Sequence, residues 1–307
     1  MGCSEEGIMM KVKKNRTLNS PGEHIFLFLN DLILILLCIV MIYPVLFVLA
    51  RSVTPELERA LHPLRIFPSS FDFTGYVFIF SSGSNIVNSY RTTILRTLIG
   101  TAVNMALTLL LAYPLSKKYY RPRKVLTGLI VFTMWFSGGL IPSFLLNKSL
   151  GLLNSFWVYI FPCAVNPFNL MIMRNFFQQI PDSLDESAKL DGANDLRVFW
   201  SIYLPLSTAS IATLTLFYAV FHWNMWFDSM LYMNRKEMWT MQYTLRQLID
   251  SATVTDIATV GTAMDNIPPA ETVRMATVVV ATVPILCIYP FLQKYFVKGM
   301  LVGSVKG

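Results

Sequence analysis

The side chains that could perform covalent or metal chemistry are widely separated along this 307-residue sequence. The three histidines are His24, His62 and His222, and no base stands beside a nucleophile in a pattern that suggests catalysis. The phosphate-binding pattern G-x-x-x-x-G-K-[ST] of many ATPases is missing from the sequence. The cysteines form no CxxC pair, which favours small apolar roles over metal ligation or disulfides; they are Cys3, Cys38, Cys163 and Cys287. We therefore predict a chain that is not an enzyme and binds no metal or cofactor.

The composition indicates a membrane protein. Only 14% of the residues are charged and 54% are hydrophobic, whereas soluble domains carry about 25% charged residues. The mean hydropathy is +0.51. The net charge of +7 lies mainly on lysines and arginines that flank apolar runs, which predicts charged loops beside a membrane rather than nucleic-acid binding.

Six apolar stretches are long enough to cross a hydrocarbon core of about 30 Å. Lipid cannot satisfy an open backbone, so these stretches should be helices, and the predicted class is an all-α integral membrane protein of about six spans. The stretches are 32–50, 98–115, 125–146, 155–173, 202–227 and 275–292.

Basic residues set the predicted orientation. The short segment 116–124 holds five lysines and arginines, and short positively charged loops stay on the cytoplasmic side. With that segment inside, the inner segments carry 15 basic residues and the outer ones 10. Both termini are then cytoplasmic, with an N-terminal segment 1–24 and a membrane domain 25–307.

The segment 180–206, between the fourth and fifth spans, is polar but patterned. Ser183 and Glu186 predict a capping box at a helix start, with Asp182 as an alternative cap. Gly192 is placed to end that helix. This predicts a short helix across the cytoplasmic end of the bundle, turned sharply at Gly192.

A second helix should follow the turn, capped by Asn194 or Asp195 and joined rigidly to the fifth span. The pattern alone leaves two interpretations open, a force-transmitting connection and an ordinary capped loop. The aromatic and apolar residues predicted on one side of this helix are Leu196, Phe199, Trp200 and Tyr203.

The loop resembles a known family. Glu186-Ser187-Ala188, Gly192 and Ile202-Tyr203-Leu204-Pro205 resemble the "EAA…G…I.LP" loop of permease subunits of binding-protein-dependent ABC importers. Ser187 departs from the alanine usual in that family, a small change that keeps the helix plausible.

A finer resemblance points to the carbohydrate-uptake branch and its maltose-type second permease subunit. It covers roughly residues 89–307, and the core of the predicted membrane domain is 89–293. It rests on four stretches: Pro167-Phe168-Asn169 with Met173-Arg174-Asn175-Phe176-Phe177, the loop itself, Trp223-Asn224-Met225-Trp226, and the C-terminal Tyr295-Phe296-Val297-Lys298-Gly299 with Gly303-Ser304-Val305-Lys306-Gly307.

The resemblance implies a subunit of an ATP-driven sugar importer in the prokaryotic cytoplasmic membrane. It implies a second permease subunit, two ATPase subunits that use ATP and Mg, and an extracytoplasmic sugar-binding protein. The short helix would be the coupling helix that docks on an ATPase, where Glu186 either pairs with an arginine or caps its own helix. The implied coupling residues are Leu184, Glu186, Ser187, Ala188, Leu190 and Gly192.

Polar and aromatic residues inside the fourth and fifth spans are candidates for a sugar path, because aromatic rings stack on sugars and amides bond hydroxyls. The alternative is helix packing or an interfacial aromatic belt. The candidates are Asn166, Asn169, His222, Trp223, Asn224 and Trp226.

Two other functions stay open. One is an importer of a different solute, such as peptides. The other is a stand-alone secondary transporter, which predicts a charged residue buried in a span; within the predicted spans we find only His222.

Overall fold

The computed structural model describes residues 21–63, 65, 67–80, 85–258 and 271–287. Within these residues the chain is helical and contains no strand, in agreement with the predicted all-α class. The first helices are α1 (Pro21–Ser52), α2 (Glu56–Leu61), α3 (Thr74–Phe80), α4 (Ile86–Ser116), α5 (Arg123–Trp135), α6 (Leu140–Ser149) and α7 (Pro167–Gln178). The later ones are α8 (Asp182–Leu190), α9 (Asp195–Val198), α10 (Leu204–Leu206), α11 (Thr208–Asn224), α12 (Phe227–Tyr232), α13 (Met241–Ala258) and α14 (271–287). Short 3₁₀ turns lie at Phe156–Tyr159, Phe161–Cys163 and Lys236–Met238, and a π-helical turn lies at Phe199–Tyr203.

Two of these helices, α1 and α4, are each long and apolar enough to cross a membrane. Three further apolar segments are bent pairs of helices. The bends are 115° between α5 and α6, 51° between Phe156–Cys163 and α7, and 81° between Asp195–Leu206 and α11. If each bent pair is one span, the described residues contain up to five. The predicted span 275–292 is described only as far as residue 287, in α14.

Two of the bends fall at residue types that interrupt a helix. Gly139 has φ +88°, a left-handed conformation that favours glycine, and it separates α5 from α6. Asn166 caps α7 by accepting a hydrogen bond from the Asn169 backbone N–H at 3.0 Å, and Pro167 occupies the first turn. The third bend, at Ser207, was not predicted.

The central helix is α4, which packs against α5, α7, α11 and α13. Its buried face is mostly small or polar, whereas leucines such as Leu98 and Leu110 are exposed on its other side. This arrangement suits lipid, which leaves polar groups to face protein and lets helices approach through small residues. The buried residues repeat every three or four positions, and include Ser89, Thr93, Arg96, Gly100, Asn104 and Thr108.

The two ends of α4 are used below as reference points. At 1.5 Å per residue its 31 residues extend about 45 Å. The end at Ser116 lies beside α8 and is called the α8 end. The half of α4 that begins at Ile86 packs on α13 and on the turn Lys236–Met238, reaches α12 through Arg96, and is called the α12 end. Most of the predicted segment 1–24 and the C-terminal stretch 288–307, which carries part of the family resemblance, are outside the described residues.

Candidate functional site

The short helix predicted in segment 180–206 is α8, but its first turn is built differently from the prediction. The N-cap is Pro181, no side chain caps the helix, and Ser183 lies within the first turn. The predicted capping box of Ser183 and Glu186 is therefore wrong, and so is a cap by Asp182. The Asp182 carboxylate instead pairs with Lys118, 2.5 Å from its Nζ.

The C-terminal end of α8 agrees with the prediction. Gly192 has φ +81°, which favours glycine. The Ala193 N–H donates to the Ala188 carbonyl at 2.9 Å, and the Gly192 N–H donates to the Lys189 carbonyl at 3.0 Å. This pair of hydrogen bonds is a Schellman motif, which satisfies carbonyls left free at a helix end. Asn194 caps α9 by accepting from the Arg197 N–H at 2.8 Å.

The predicted coupling residues divide between two faces of α8. Ala188 is half-buried against the bundle. Glu186 and Ser187 are exposed, and the Glu186 carboxylate makes no hydrogen bond or ion pair with any residue that the structure describes. Leu184 is also exposed, and 89% of Leu190 is exposed. A short helix that carries an unpaired carboxylate and exposed leucines offers a surface suited to a protein partner.

The inner face of α8 is fixed to the end of α4 by an ion pair that sequence patterns did not indicate. The Lys117 ammonium lies 2.7 Å from the Asp185 carboxylate. It also lies 4.5 Å from the ring centroid of Tyr113 and 4.0 Å from that of Tyr203. Lys117 is only 5% exposed. In the sequence, Lys117 could be recognised only as a signal of membrane orientation, because its partner Asp185 lies 68 positions away.

A second polar group joins α8 to α9. Lys189 lies 3.2 Å from the Asp195 carboxylate, which also accepts a hydrogen bond from the Tyr119 hydroxyl at 2.9 Å. Burial alone raises the pKa of Asp195, but these two hydrogen bonds outweigh it and hold the pKa below its ordinary value. Burial lowers the pKa of Lys189, but hydrogen bonds to Asp195 and Tyr119 more than compensate and raise it. The charged pair is therefore the stable form near neutral pH.

The helix after the turn differs from the prediction in two ways. Phe199 and Tyr203 are buried, whereas Leu196 and Trp200 are exposed, so the four do not share one packing face. The chain then bends by 81° at Ser207 before α11, so this helix does not continue into the fifth span in one direction. The inward rings pack edge-on with Tyr113 at centroid distances of 5.2 and 5.0 Å.

Of the candidate path residues, those deepest in the bundle have partners within the chain. His222 is fully buried, with its Nε2 2.6 Å from the Asn104 amide oxygen. Its ring lies against Gly100, where an added Cβ would come within 2.5 Å of Nε2. Asn169 is buried on α7, and Trp223 is buried with its indole N–H 3.3 Å from the Ala281 carbonyl. This placement favours helix packing for His222 and Trp223.

The remaining path candidates are accessible. Asn166 is half-buried and caps α7. Asn224 is exposed and donates to the Val220 carbonyl at 2.9 Å. Trp226 is half-buried at the α12 end, with the Arg246 guanidinium carbon 4.0 Å from its ring centroid. The structure therefore does not bring all six predicted path residues to one surface.

The structure also contains a buried cation that sequence reasoning missed. Arg96 is 0% exposed, 2.5 Å from the Asp228 carboxylate and 4.6 Å from the Tyr159 ring centroid. The second span was predicted to begin at residue 98, whereas the apolar helix begins at Ile86, so the search of the predicted spans found His222 and missed Arg96. The polar residues that recur every three or four positions from Ser89 onward are the signal that could have found it.

Comparisons with known proteins support the family that the loop 180–206 resembles. A family model described as "Binding-protein-dependent transport system inner membrane component" matches residues 7–302. Protein LplC of Bacillus subtilis (strain 168) is 46% identical over 290 residues, 94% of this chain and 97% of that protein. The polygalacturonan/rhamnogalacturonan transport system permease protein YtcP of the same strain is 46% identical over 276 residues, 89% and 96% of the two chains.

A solved structure is also similar. It is described as a bacterial ABC transporter involved in the import of the acidic polysaccharide alginate, with a TM-score of 0.81 and 31% identity over 90% of this chain and 98% of that chain. The family inferred from the loop is thus confirmed. Because the family model spans nearly the whole sequence, the chain belongs to the family of inner membrane components of binding-protein-dependent transport systems.

Proposed function

We propose that the chain is the permease subunit of an ATP-driven importer that moves an oligosaccharide across the cytoplasmic membrane of a prokaryote. The observation that carries this proposal is α8, a nine-residue helix with a defined turn after it, one face fixed to α4 and the other exposed. A loop that only connected two spans would need neither an ion pair to the bundle nor an exposed apolar face.

The exposed face of α8 is the proposed docking surface for an ATPase subunit. Leu184 and Leu190 would supply apolar contact there, and the unpaired Glu186 would meet a cation of the ATPase. Gly192 keeps the helix at a fixed angle to α9 through its left-handed conformation. Movement of the two ATPase subunits would then displace α8 as a rigid body and open the path alternately to each side.

The proposed topology has six spans with both termini in the cytoplasm, so the α8 end faces the ATPases. The two buried cations on or beside α4, Arg96 and Lys117, support a crossing. They are separated by 21 positions, which at 1.5 Å per residue is about 30 Å, the thickness of the hydrocarbon core. Lys117 and its basic neighbours then lie on the cytoplasmic side, as positively charged loops prefer.

The proposed partners are a second permease subunit, two ATPases that hold ATP and Mg, and an extracytoplasmic binding protein. The oligosaccharide class is supported by relatives named for polygalacturonan/rhamnogalacturonan, arabinooligosaccharides, galactooligosaccharides and maltodextrin. The accessible Asn166, Asn224 and Trp226 are the proposed sugar contacts. A stand-alone secondary transporter is not favoured, because the buried Arg96 is already neutralised by Asp228.

The function is tested by purifying the chain from its host in mild detergent with its bound proteins. We expect a second permease and an ATPase to co-purify, and ATP hydrolysis to rise with one loaded binding protein. Oligogalacturonides, maltodextrins and arabinooligosaccharides form the substrate panel. Recovery of a lone chain that transports a solute into liposomes without ATP would overturn the proposal.

The docking surface is tested by Glu186→Lys. We expect this importer to bind its sugar-loaded binding protein but to lose ATP-driven uptake, because the exposed carboxylate becomes a cation facing a cation. Glu56→Lys makes the same charge change on exposed α2 and should leave uptake unchanged. Normal uptake by the Glu186→Lys importer would remove α8 from the docking role.

A further inference from the structure

We propose that Lys117 is a positioning residue that fixes α8 to α4, so that a displacement of α8 is passed to the central helix of the bundle. This inference rests on the proposed function, since it takes α8 to be the helix that the ATPase moves. The basic segment between α4 and α5 then does more than set the orientation of the chain in the membrane. Its residue Lys117 also helps to pass the movement of α8 to α4.

Three separate parts of the fold converge on the Lys117 ammonium. Asp185 comes from α8, at 2.7 Å. Tyr113 comes from the last turn of α4, and Tyr203 from the π-helical turn before α10, with ring centroids at 4.5 and 4.0 Å. A lysine that is 5% exposed needs such partners, because an unpaired buried charge is costly. The site therefore holds α8, α4 and the start of the fifth apolar segment in one arrangement.

The neighbouring Lys118 makes a pair of the opposite kind. It lies 2.5 Å from the Asp182 carboxylate, on the same two elements as the buried pair. Its side chain is 76% exposed, however, and that of Asp182 is 61% exposed. Exposed pairs contribute little and are screened by salt, because water and ions weaken their attraction and both side chains lose freedom. Lys118 with Asp182 is thus an internal control for Lys117 with Asp185.

The position of Lys117 suits transmission. It is the C-cap residue of α4, so a force on its side chain acts directly on the end of that helix. The adjoining Leu115 carbonyl accepts a hydrogen bond from Arg174 Nε of α7 at 3.1 Å. Since α4 packs along α7 and α11, a movement of Asp185 would be carried to all three helices together.

A purely structural role would also explain a buried ion pair, so the test must separate folding from transmission. The variant Lys117→Met/Asp185→Asn removes both charges and leaves neither one buried alone, the situation that destabilises most. The variant Lys118→Met/Asp182→Asn makes the same chemical changes at the exposed pair. Both are made in the complete importer, reconstituted in liposomes with its ATPase and binding protein.

The measurement is the amount of labelled oligosaccharide taken up per ATP hydrolysed, using the member of the substrate panel that the wild-type importer transports. We expect the 117/185 variant to assemble and to hydrolyse ATP. The amount of sugar that it carries per ATP should fall at least about fivefold, which is the lower end of typical coupling between two sites. The 118/182 variant should keep the wild-type ratio.

The inference is overturned if the 117/185 importer keeps the wild-type ratio, if both variants lose it equally, or if only the 117/185 variant fails to assemble, since that is a folding role. Failure of the proposed function looks different. In that case the wild-type importer itself shows no ATP-dependent uptake, and the inference falls with it.

Discussion

The buried cation at the α12 end of α4 is Arg96, which pairs with Asp228 and lies against Tyr159. The buried cation at the α8 end is Lys117, which pairs with Asp185. Its ammonium lies near the rings of Tyr113 and Tyr203. Both sites therefore combine a cation, a carboxylate and an aromatic ring. The two sites differ in what surrounds the ion pair. That difference favours a fixed support at the α12 end and a movable helix at the α8 end.

The ion pair at the α12 end is surrounded by buried hydrogen bonds. The Tyr159 hydroxyl is hydrogen-bonded to Ser229 at 2.9 Å and to the Met238 carbonyl at 2.7 Å, and Ser229 is bonded to Thr240 at 2.9 Å. Buried hydrogen bonds between several elements favour a single arrangement of those elements. At the α8 end, by contrast, Asp185 belongs to a nine-residue helix whose other face is exposed. The α12 end thus suits a pivot, and the α8 end suits a point where force enters.

Arg96→Met should give the largest effect. It leaves the Asp228 carboxylate without its cation in a mostly buried site, which costs about 3–5 kcal/mol in the free energy of unfolding. Equilibrium unfolding in mixed detergent micelles measures this change. The double variant Arg96→Met/Asp228→Asn should recover much of the loss, because no unpaired charge remains. A loss smaller than that of Lys117→Met would reverse the assignment of the two ends.

Gly100→Ala should give the next effect and tests how far the fixed region extends along α4. The new Cβ would lie within 2.5–2.8 Å of the His222 ring, which is fully buried and bonded to Asn104. Overpacking of this kind costs about 1–3 kcal/mol. Gly128→Ala on α5 is the matched control, since nothing lies within 4 Å of its added Cβ. Equal unfolding midpoints for the two variants would show that α11 shifts to accommodate the added methyl group, so that the fixed region does not extend to Gly100.

Local signals in the sequence predicted much of the α8 end. Gly192 and Asn194 act through hydrogen bonds to residues within five positions, so their roles follow from residue type and spacing. The start of α8 was mistaken because Pro181 takes the cap position, and Ser183 is already helical. The bend at Ser207 comes directly after Pro205 and the π-helical turn at Phe199–Tyr203, which both interrupt the helical hydrogen bonds, but neither signal gives the size of the bend.

Long-range contacts explain what the sequence could not predict. Arg96 and Asp228 are 132 positions apart and Lys117 and Asp185 are 68 apart, so no local pattern joins either pair. The path candidates failed to gather at one surface for the same reason. His222 carries a polar ring on an apolar helix whether it faces a path or a neighbouring helix, and only the packing of α4 against α11 distinguishes the two.

The smallest expected effect is the response of the α8 end to salt and acid. The pKa of Asp195 is lowered in the folded chain, so its stabilisation is present above the unfolded value of about 3.9 and is lost as the pH falls through the lower folded value. The pKa of Lys189 is raised, so its contribution to stability is lost only at strongly alkaline pH.

Because Asp195 and Lys189 are partly exposed, the pair contributes less than about 1 kcal/mol and should weaken in 1 M salt. Backbone hydrogen-exchange protection, taken relative to the intrinsic rate at each pH, should therefore fall in 182–198 below about pH 4 or in high salt, while 225–241 beside the buried Arg96 stays protected. Asp195→Asn should abolish most of that response, and an equal loss of protection at both ends would contradict the distinction between them.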